Sequence, residues 1–102
     1  MGEEITLLLI LKIKAEKRQA LFDLLKNDEN GIKLTKAYKG CISVEGRMST
    51  SDDETIVLWQ KWTSKEDQAA YMKMRQDSGF FLPWAEHMLA PPQTMYLSKD
   101  SF

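Results

Sequence analysis

The hydrophobic pattern of the chain changes from a strand-like to a helix-like period. Residues 5–13 are nearly continuously apolar and bounded by charge, which predicts a strand covered on both faces or nearly so. From residue 16 to about residue 38, apolar side chains recur at helical spacing. Asn30 and Gly31 interrupt this stretch, so one long helix with a weak point and two shorter helices both remain open. Gly40 is predicted to end the region, because glycine tolerates a positive φ.

Two β-rich stretches follow, at residues 41–49 and 55–62, and the polar residues 50–54 separate them. This arrangement predicts a β-hairpin. Side chains of opposite parity point to opposite faces of a strand. On the second strand we therefore expect Leu58, Gln60 and Trp62 to face the helices. The residues expected on the other face are Val57, Trp59 and Lys61.

The last third of the chain predicts two helices and a short strand. Two overlapping capping boxes at residues 63–67 predict a helix that runs to about Gln76 and is broken at residues 77–79. Pro83 falls in the first turn of the next helix, where proline is tolerated. An amphipathic stripe on that helix consists of Phe81, Trp84, Ala85, Met88 and Leu89. Prolines 91 and 92 end it, and residues 94–97 are predicted to form the last strand.

The order β-α-β-β-α-β predicts a single α+β domain over residues 1–102, a ferredoxin-like antiparallel sheet with helices on one face. The opposite face would then carry Leu8, Ile10, Val57 and Trp59. A large exposed apolar sheet face is unusual for a monomer. We therefore expect a homodimer in which two sheets pack face to face.

Composition narrows the classes of partner. The 14 Lys and Arg residues nearly balance the 15 Asp and Glu residues, which gives no support for a nucleic-acid partner. The single cysteine, Cys41, fits a reducing compartment, and we expect it to be a small buried residue and not a nucleophile. The apolar run at residues 5–13 is shorter than the about 20 residues that span a bilayer. These features predict a soluble, cytoplasmic protein with no membrane partner.

Few residues belong to the usual catalytic inventories. His87 is the only histidine, and the sequence contains no CxxC or HExxH motif and no glycine-rich phosphate loop, so we expect no bound metal. Histidine is the side chain that ordinarily changes charge near neutral pH. His87 lies three residues after Trp84, so both could border one cavity. The simpler interpretation is a half-exposed helical histidine beside the core.

Aromatic residues are numerous for the length of the chain. An aromatic pocket with few polar groups suits a flat organic ligand. Trp62 could line such a pocket or belong to the plain core, and Tyr38 is a further candidate. Gln60 shares the face of Trp62, and a buried amide needs hydrogen-bond partners. A ligand, a backbone group or a tyrosine hydroxyl could supply them.

Three segments together resemble the antibiotic biosynthesis monooxygenase superfamily: residues 38–43 (YKGCIS), 57–64 (VLWQKWTS) and 68–71 (QAAY). The resemblance implies a small, dimeric α+β barrel. Trp62 matches the family pattern, whereas Gln60 stands where the family usually has Glu and Tyr71 where it often has His. The haem-degrading branch also needs an Asn on the first strand, which this chain lacks. Haem is therefore not expected, and neither is any other cofactor.

The resemblance implies a cofactor-independent monooxygenase that acts on a small aromatic or quinol-like metabolite. Trp62 would orient the substrate, and Tyr71 would donate a hydrogen bond to its oxygen or move a proton. The candidate substrate-binding residues are Gln60, Trp84, His87 and Tyr38. Two alternatives remain open. One is a non-catalytic dimeric barrel that binds a small hydrophobic ligand, which the missing Glu and His favour. The other is a non-oxygenase enzyme that acts on a small carbonyl or signalling metabolite.

Overall fold

The computed structural model describes residues 3–102, and its framework is a four-stranded antiparallel sheet with helices on one face. Its elements in chain order are β1 (Ile5–Lys12), α1 (Ala15–Asn27), α2 (Ile32–Ala37), β2 (Cys41–Met48), β3 (Thr55–Trp62), α3 (Lys65–Ser78), a 3₁₀ helix (Leu82–His87) and β4 (Gln93–Leu97). None of the helices in this part of the chain is long and apolar enough to cross a membrane.

The strand order is β2-β3-β1-β4, and every neighbouring pair is antiparallel. This is the order of a ferredoxin-like sheet, so the fold class predicted from the sequence is confirmed. The sheet is open in the single chain. The chain alone therefore does not form the closed barrel that the resemblance implied.

The helical region before β2 consists of two helices, which decides between the two open interpretations. Gly31 lies in the break, and a Cβ atom there would come within 2.3 Å of the Leu25 carbonyl oxygen. Asp28 closes the turn by accepting a hydrogen bond from the Asn30 backbone N–H at 2.8 Å. The backbone approaches too closely at Gly31 for a residue with a Cβ atom, so glycine is required at this break between the two helices.

Helix α3 begins at the second of the two predicted capping boxes. The Ser64 hydroxyl accepts a hydrogen bond from the Asp67 backbone N–H at 3.1 Å, as an N-cap residue does. The helix ends at Gly79, which adopts the left-handed conformation with φ of 67°. It is therefore two residues longer than predicted, because Asp77 and Ser78 stay helical.

The prediction of an amphipathic α-helix around Trp84 is wrong. The segment is a 3₁₀ helix, none of its residues is fully buried, and Phe81 and Leu89 at its flanks are exposed. The chain then returns to β1, where Met88 pairs with Ile13 and the Leu89 N–H bonds to the Lys12 carbonyl at 2.9 Å. This return prevents a longer α-helix.

The core lies between the sheet and α1. Its buried members are Leu11, Ile13, Leu21, Leu25, Ile56 and Leu58. On β3, the residues predicted to face the helices are the buried ones, and Trp59 on the other face is 40% exposed. The alternation predicted for this strand is therefore confirmed.

Asp52 in the β2–β3 turn is expected to make the stability of the fold depend on pH. The Lys12 ammonium group, 2.6 Å away, and further bonds from the Glu54 N–H and the Thr55 hydroxyl hold the pKa of Asp52 far below its usual range. A carboxylate with a lowered pKa stabilises the fold above its unfolded-state pKa, and this stabilisation is lost as the pH falls. We expect Asp52→Asn to lower the urea midpoint at pH 7.

The difference in urea midpoint between wild type and Asp52→Asn should shrink below about pH 4, near the ordinary pKa of an aspartate, because the stabilisation by the wild-type carboxylate is then lost. The neighbouring Asp53→Asn substitution is the matched control and should change the midpoint little. A constant difference between wild type and Asp52→Asn from pH 7 to pH 3 would contradict the assignment.

Candidate functional site

Gln60 and Trp62 form the centre of a buried polar and aromatic cluster at the end of β3. Their side chains lie two residues apart on the helix-facing side of the strand. The Trp62 indole N–H donates a hydrogen bond to the Gln60 side-chain oxygen at 2.9 Å. Trp62 is 0% exposed and Gln60 is 3% exposed. The Trp62 indole is thus the hydrogen-bond donor to the Gln60 oxygen, a partner that was not among those considered from the sequence.

Three aromatic rings surround this hydrogen bond. The Trp62 ring centroid lies 5.0 Å from that of Tyr71 and 6.3 Å from that of Tyr38, and the two tyrosine centroids are 5.4 Å apart. Edge-to-face and tilted pairs at such distances stabilise aromatic clusters. Tyr38 follows α2 and Tyr71 lies on α3, so the cluster joins both helices to β3.

The Tyr71 hydroxyl is held by two other side chains. Arg75 Nε donates to it at 2.7 Å, and the hydroxyl lies 2.6 Å from Thr35 Oγ1. An arginine can only donate, so the hydroxyl accepts from Arg75 and its own proton is free to point to Thr35. Tyr71 can therefore donate a hydrogen bond to a substrate only when its hydrogen bond to Thr35 is broken.

Arg75 is 6% exposed, and no motif in the sequence singled it out. One guanidinium nitrogen bonds to the Asn30 carbonyl, and another bonds to the Gly31 carbonyl at 2.7 Å and to Thr35 Oγ1 at 2.9 Å. Within residues 3–102 it has no carboxylate partner, so backbone carbonyls compensate its buried charge. The sequence feature that could have identified Arg75 is its position four residues after Tyr71 on α3, which places the two side chains on the same face of the helix.

Gln68 is the second functional candidate missing from the sequence-based set. It is 1% exposed, and its side-chain oxygen accepts a hydrogen bond from the Tyr96 hydroxyl at 3.1 Å. Its side-chain nitrogen is buried with no partner among the described residues. Turning the amide around would satisfy the nitrogen and leave the oxygen without a donor. Either way, one polar end of Gln68 is available to a ligand or a water molecule.

Tyr96 marks the side on which the cluster approaches solvent. It lies on β4 across Leu7 from Gln60, and it is 49% exposed although its hydroxyl reaches buried Gln68. The Lys65 ammonium group lies 5.3 Å from its ring centroid. The hydrogen bond between Tyr96 and Gln68 therefore links β4 to the first turn of α3.

Trp84 and His87 pair with each other at a ring-centroid distance of 5.9 Å. Trp84 packs against the apolar core, and the Glu86 carboxylate lies 3.6 Å from His87 Nε2. Within the described part of the chain, no aromatic contact joins this pair to Tyr38, Trp62 or Tyr71. Of the six residues selected from the sequence, the structure brings together Tyr38, Gln60, Trp62 and Tyr71, and places Trp84 and His87 in a separate pair.

The cluster around Trp62 is closed. The two cavities described for residues 3–102 are lined by other residues, one at the β2–β3 turn and one between α1, α2 and β2. Neither of these cavities reaches Trp62, which is fully buried. Burial raises the pKa of the Cys41 thiol, which opposes a role as a nucleophile. Residues 3–102 contain no group of three or more His, Cys, Asp or Glu side chains arranged to hold a metal ion.

Solved structures show the class of fold. A protein from Caulobacter crescentus, provisionally named an antibiotic biosynthesis monooxygenase, has a TM-score of 0.80 and 16% identity, covering 98% of this chain and 92% of the other. A monooxygenase from the gene ActVA-Orf6 of Streptomyces coelicolor, in complex with the ligand nanaomycin D, has a TM-score of 0.79 and 12% identity over 99% and 89% of the two chains. The chain thus has the fold of the antibiotic biosynthesis monooxygenase superfamily, and the resemblance is confirmed at the level of fold.

A third structure with this fold is SnoaB, a cofactor-independent oxygenase from Streptomyces nogalater. It has a TM-score of 0.72 and 8% identity, covering 99% of this chain and 97% of the other. The sequence matches no protein-family model, and comparison with curated proteins found no match. At these identities the similarity establishes the architecture, and the chemistry has to be argued from the residues of this chain.

Proposed function

We propose that the protein is a cofactor-independent monooxygenase that acts on a small aromatic or quinol-like metabolite. The observation that carries the proposal is the buried cluster of Gln60, Trp62 and Tyr71. Three residues before Tyr71 on α3 lies Gln68, whose buried amide has one unpaired polar end. Support also comes from the fold, because a monooxygenase and a cofactor-independent oxygenase share it. Tyr38, whose ring contacts both Trp62 and Tyr71, completes the proposed set of substrate-binding residues, and the separate Trp84–His87 pair lies outside it.

In the proposed reaction, the substrate itself supplies the electrons that reduce dioxygen. The anion of an electron-rich phenol can give an electron to dioxygen, after which one oxygen atom enters the ring and the other leaves as water. The protein has to bind the flat ring and stabilise the anionic oxygen. Trp62 and Tyr71 supply aromatic surface for the ring, and the Gln68 amide supplies a hydrogen-bond donor for the oxygen.

Tyr71 has a more specific role in this proposal. Arg75 donates to its hydroxyl, and Thr35 accepts from it. When a substrate oxygen takes the place of Thr35, the tyrosine proton can turn to that oxygen while Arg75 keeps the hydroxyl in position. The Arg75 charge also favours negative charge nearby, as an anionic substrate requires.

Access requires a conformational step. Trp62 is fully buried, so we propose that the first turn of α3 moves away from β4, which breaks the single hydrogen bond between Gln68 and Tyr96. Substrate-induced movement of such an element is a common way to exclude water from a reaction. The aromatic cluster would then close on the bound ring.

We also propose that two copies pair through the sheet face that carries Leu8, Ile10, Val57 and Trp59. Trp59 is 40% exposed and Met95 on the neighbouring β4 is 52% exposed, which is more apolar surface than a monomeric sheet normally leaves in water. A sedimentation measurement that gives the mass of one chain would contradict this pairing.

The proposed function is tested by measuring oxygen uptake with a panel of quinols. Trp62→Phe and Tyr71→Phe keep aromatic volume, and each is expected to lower kcat/KM about tenfold or more, equivalent to about 1.4 kcal/mol of transition-state stabilisation. Trp59→Phe is the matched control, since it changes a tryptophan on the other face of the same strand. Uptake that is unchanged in both site variants would contradict the assignment.

The second candidate is a non-catalytic protein that binds a small hydrophobic ligand. It is favoured by the Tyr71 hydroxyl, whose bonding capacity is taken by Arg75 and Thr35, and by the distinct location of the His87–Trp84 pair. In this case the same compounds would quench the tryptophan fluorescence of the protein on binding, and this quenching would be lost in Trp62→Phe, without any oxygen uptake under air. The alternative of a carbonyl or signalling metabolite would show turnover without oxygen uptake.

A further inference from the structure

A concave site lies at the edge of the sheet, where α1 and α2 pass over β2. This β2-edge groove has a volume of about 310 Å³, at the lower end of the range for small-molecule sites. Its wall is apolar and is contributed by both helices, by β2 and by the neighbouring strand β3: Phe22, Leu25, Ile32, Val44 and Leu58.

Gly46 forms part of the floor of the β2-edge groove. A Cβ atom at this position would lie 2.9 Å from a Leu58 methyl carbon and 3.9 Å from the Phe22 ring. Any side chain here would therefore project into the space between Leu58 and Phe22. The absence of a side chain at Gly46 helps to keep the groove open.

The rim of the groove is mainly cationic. Lys26, Lys36 and Arg47 lie on it together with a single carboxylate, that of Glu45. Glu45 is 3.2 Å from the Arg47 guanidinium, so its charge is already matched. Lys26 and Lys36 have no ion-pair partner within residues 3–102. The rim thus carries two unmatched positive charges beside an apolar hollow.

The groove is separate from the cluster around Trp62. Helix α2 lies between the two sites, because its Ile32 and Lys36 line the groove whereas Thr35 bonds to Tyr71. None of the residues proposed for oxygen chemistry lines the groove. Ligand binding in the groove therefore does not depend on the proposed function.

We propose that the β2-edge groove binds an anionic amphiphile, such as a medium-chain carboxylate. The apolar chain lies against Phe22, Leu25 and Val44, and the carboxylate lies at the rim between Lys26 and Lys36. A cationic amphiphile would meet like charges at this rim, and a neutral one would leave the two lysines unmatched. Charge complementarity therefore selects the anion.

The first test is calorimetric titration with decanoate below its micelle concentration, compared with decanol and decyltrimethylammonium. Decanoate is expected to bind more tightly than either. The double variant Lys26→Gln/Lys36→Gln removes two exposed charges and should weaken decanoate binding about tenfold, the sum of two exposed ion pairs. The matched control is Lys33→Gln/Lys39→Gln, two exposed lysines outside the groove, which should leave the affinity unchanged.

The second test locates the ligand. Amide chemical shifts in a decanoate titration should change at Val44 and Gly46, while the Trp62 indole signal stays in place. Gly46→Ala should reduce affinity with the fold retained, as judged by its circular dichroism. The proposal would be overturned if decanoate did not bind, or bound no more tightly than decanol. It would also be overturned if both double lysine variants lost the same affinity for decanoate, or if the chemical-shift changes were confined to the outer sheet face or to Trp62.

Discussion

Replacing Arg75 by methionine is expected to lower the free energy of unfolding by at least about 1–3 kcal/mol, the cost of leaving one buried acceptor without its donor, because several acceptors lose their donor together. Methionine fills most of the space but donates no hydrogen bond. The carbonyls of Asn30 and Gly31 and the hydroxyls of Thr35 and Tyr71 then lose the donor that Arg75 provides. Buried acceptors without a donor account for the cost.

Urea unfolding followed by circular dichroism measures this effect. Arg75→Lys keeps the charge but cannot reproduce the planar fork, so its loss should fall between wild type and Arg75→Met. Arg47→Met is the control, because Arg47 is exposed and its ion pair with Glu45 should be worth less than about 1 kcal/mol. If Arg75→Met were no less stable than Arg47→Met, the network would not have the structural role assigned to it.

Replacing Trp62 by alanine is expected to cost about 3–5 kcal/mol, since it empties a fully buried site next to two tyrosine rings. Such a loss is comparable with the whole stability of a small domain, about 5–15 kcal/mol. The milder Trp62→Phe keeps a ring and removes the indole N–H, which leaves the Gln60 oxygen without its donor. We expect Trp62→Phe to cost about 1–3 kcal/mol.

The double variant Trp62→Phe/Gln60→Leu separates the hydrogen bond from the packing. Removing both partners of a buried hydrogen bond costs less than removing one, so Gln60→Leu should recover part of the stability lost in Trp62→Phe. Additive losses in the two single variants, measured by urea unfolding, would show that the two side chains do not depend on each other.

The sheet was predictable because its signals are local. The alternation along β3 and the charged boundaries of β1 determine which residues face the helices, and the fold confirms them. The capping signal at Ser64 placed the start of α3 within one turn. These features depend on neighbours in the sequence, so one chain suffices to identify them.

The 3₁₀ helix and the buried network were not predictable in this way. Helical spacing around Trp84 predicts an α-helix, whereas the return of Met88 and Leu89 to β1 is a contact with a distant part of the chain. Arg75 bonds to carbonyls 44 and 45 residues earlier, and a charged residue is by default expected on the surface. Tertiary partners determine both outcomes.

The site was partly predictable for the same reason. Gln60 and Trp62 share a strand face, so their proximity follows from parity. The approach of Tyr71 and Tyr38 to Trp62 depends on the angle at which α2 and α3 cross the sheet. The resemblance to the superfamily suggested a role for Tyr71 beside Trp62, but the spacing of residues in the sequence could not place either tyrosine. The short spacing between Trp84 and His87 correctly predicted that these two residues lie together. It carried no information on their distance from Trp62.

The central position of β1 has a consequence for synthesis of the protein. One edge of this apolar strand pairs with β3 and the other with β4, which is the last of the described elements to leave the ribosome. Until then the second edge of β1 has unpaired backbone groups flanked by leucines, the kind of edge that promotes association of nascent chains. Chaperone demand should therefore be greatest just before β4 emerges, and a truncation at residue 92 should aggregate even though the residues of the hairpin and both α1 and α3 are present.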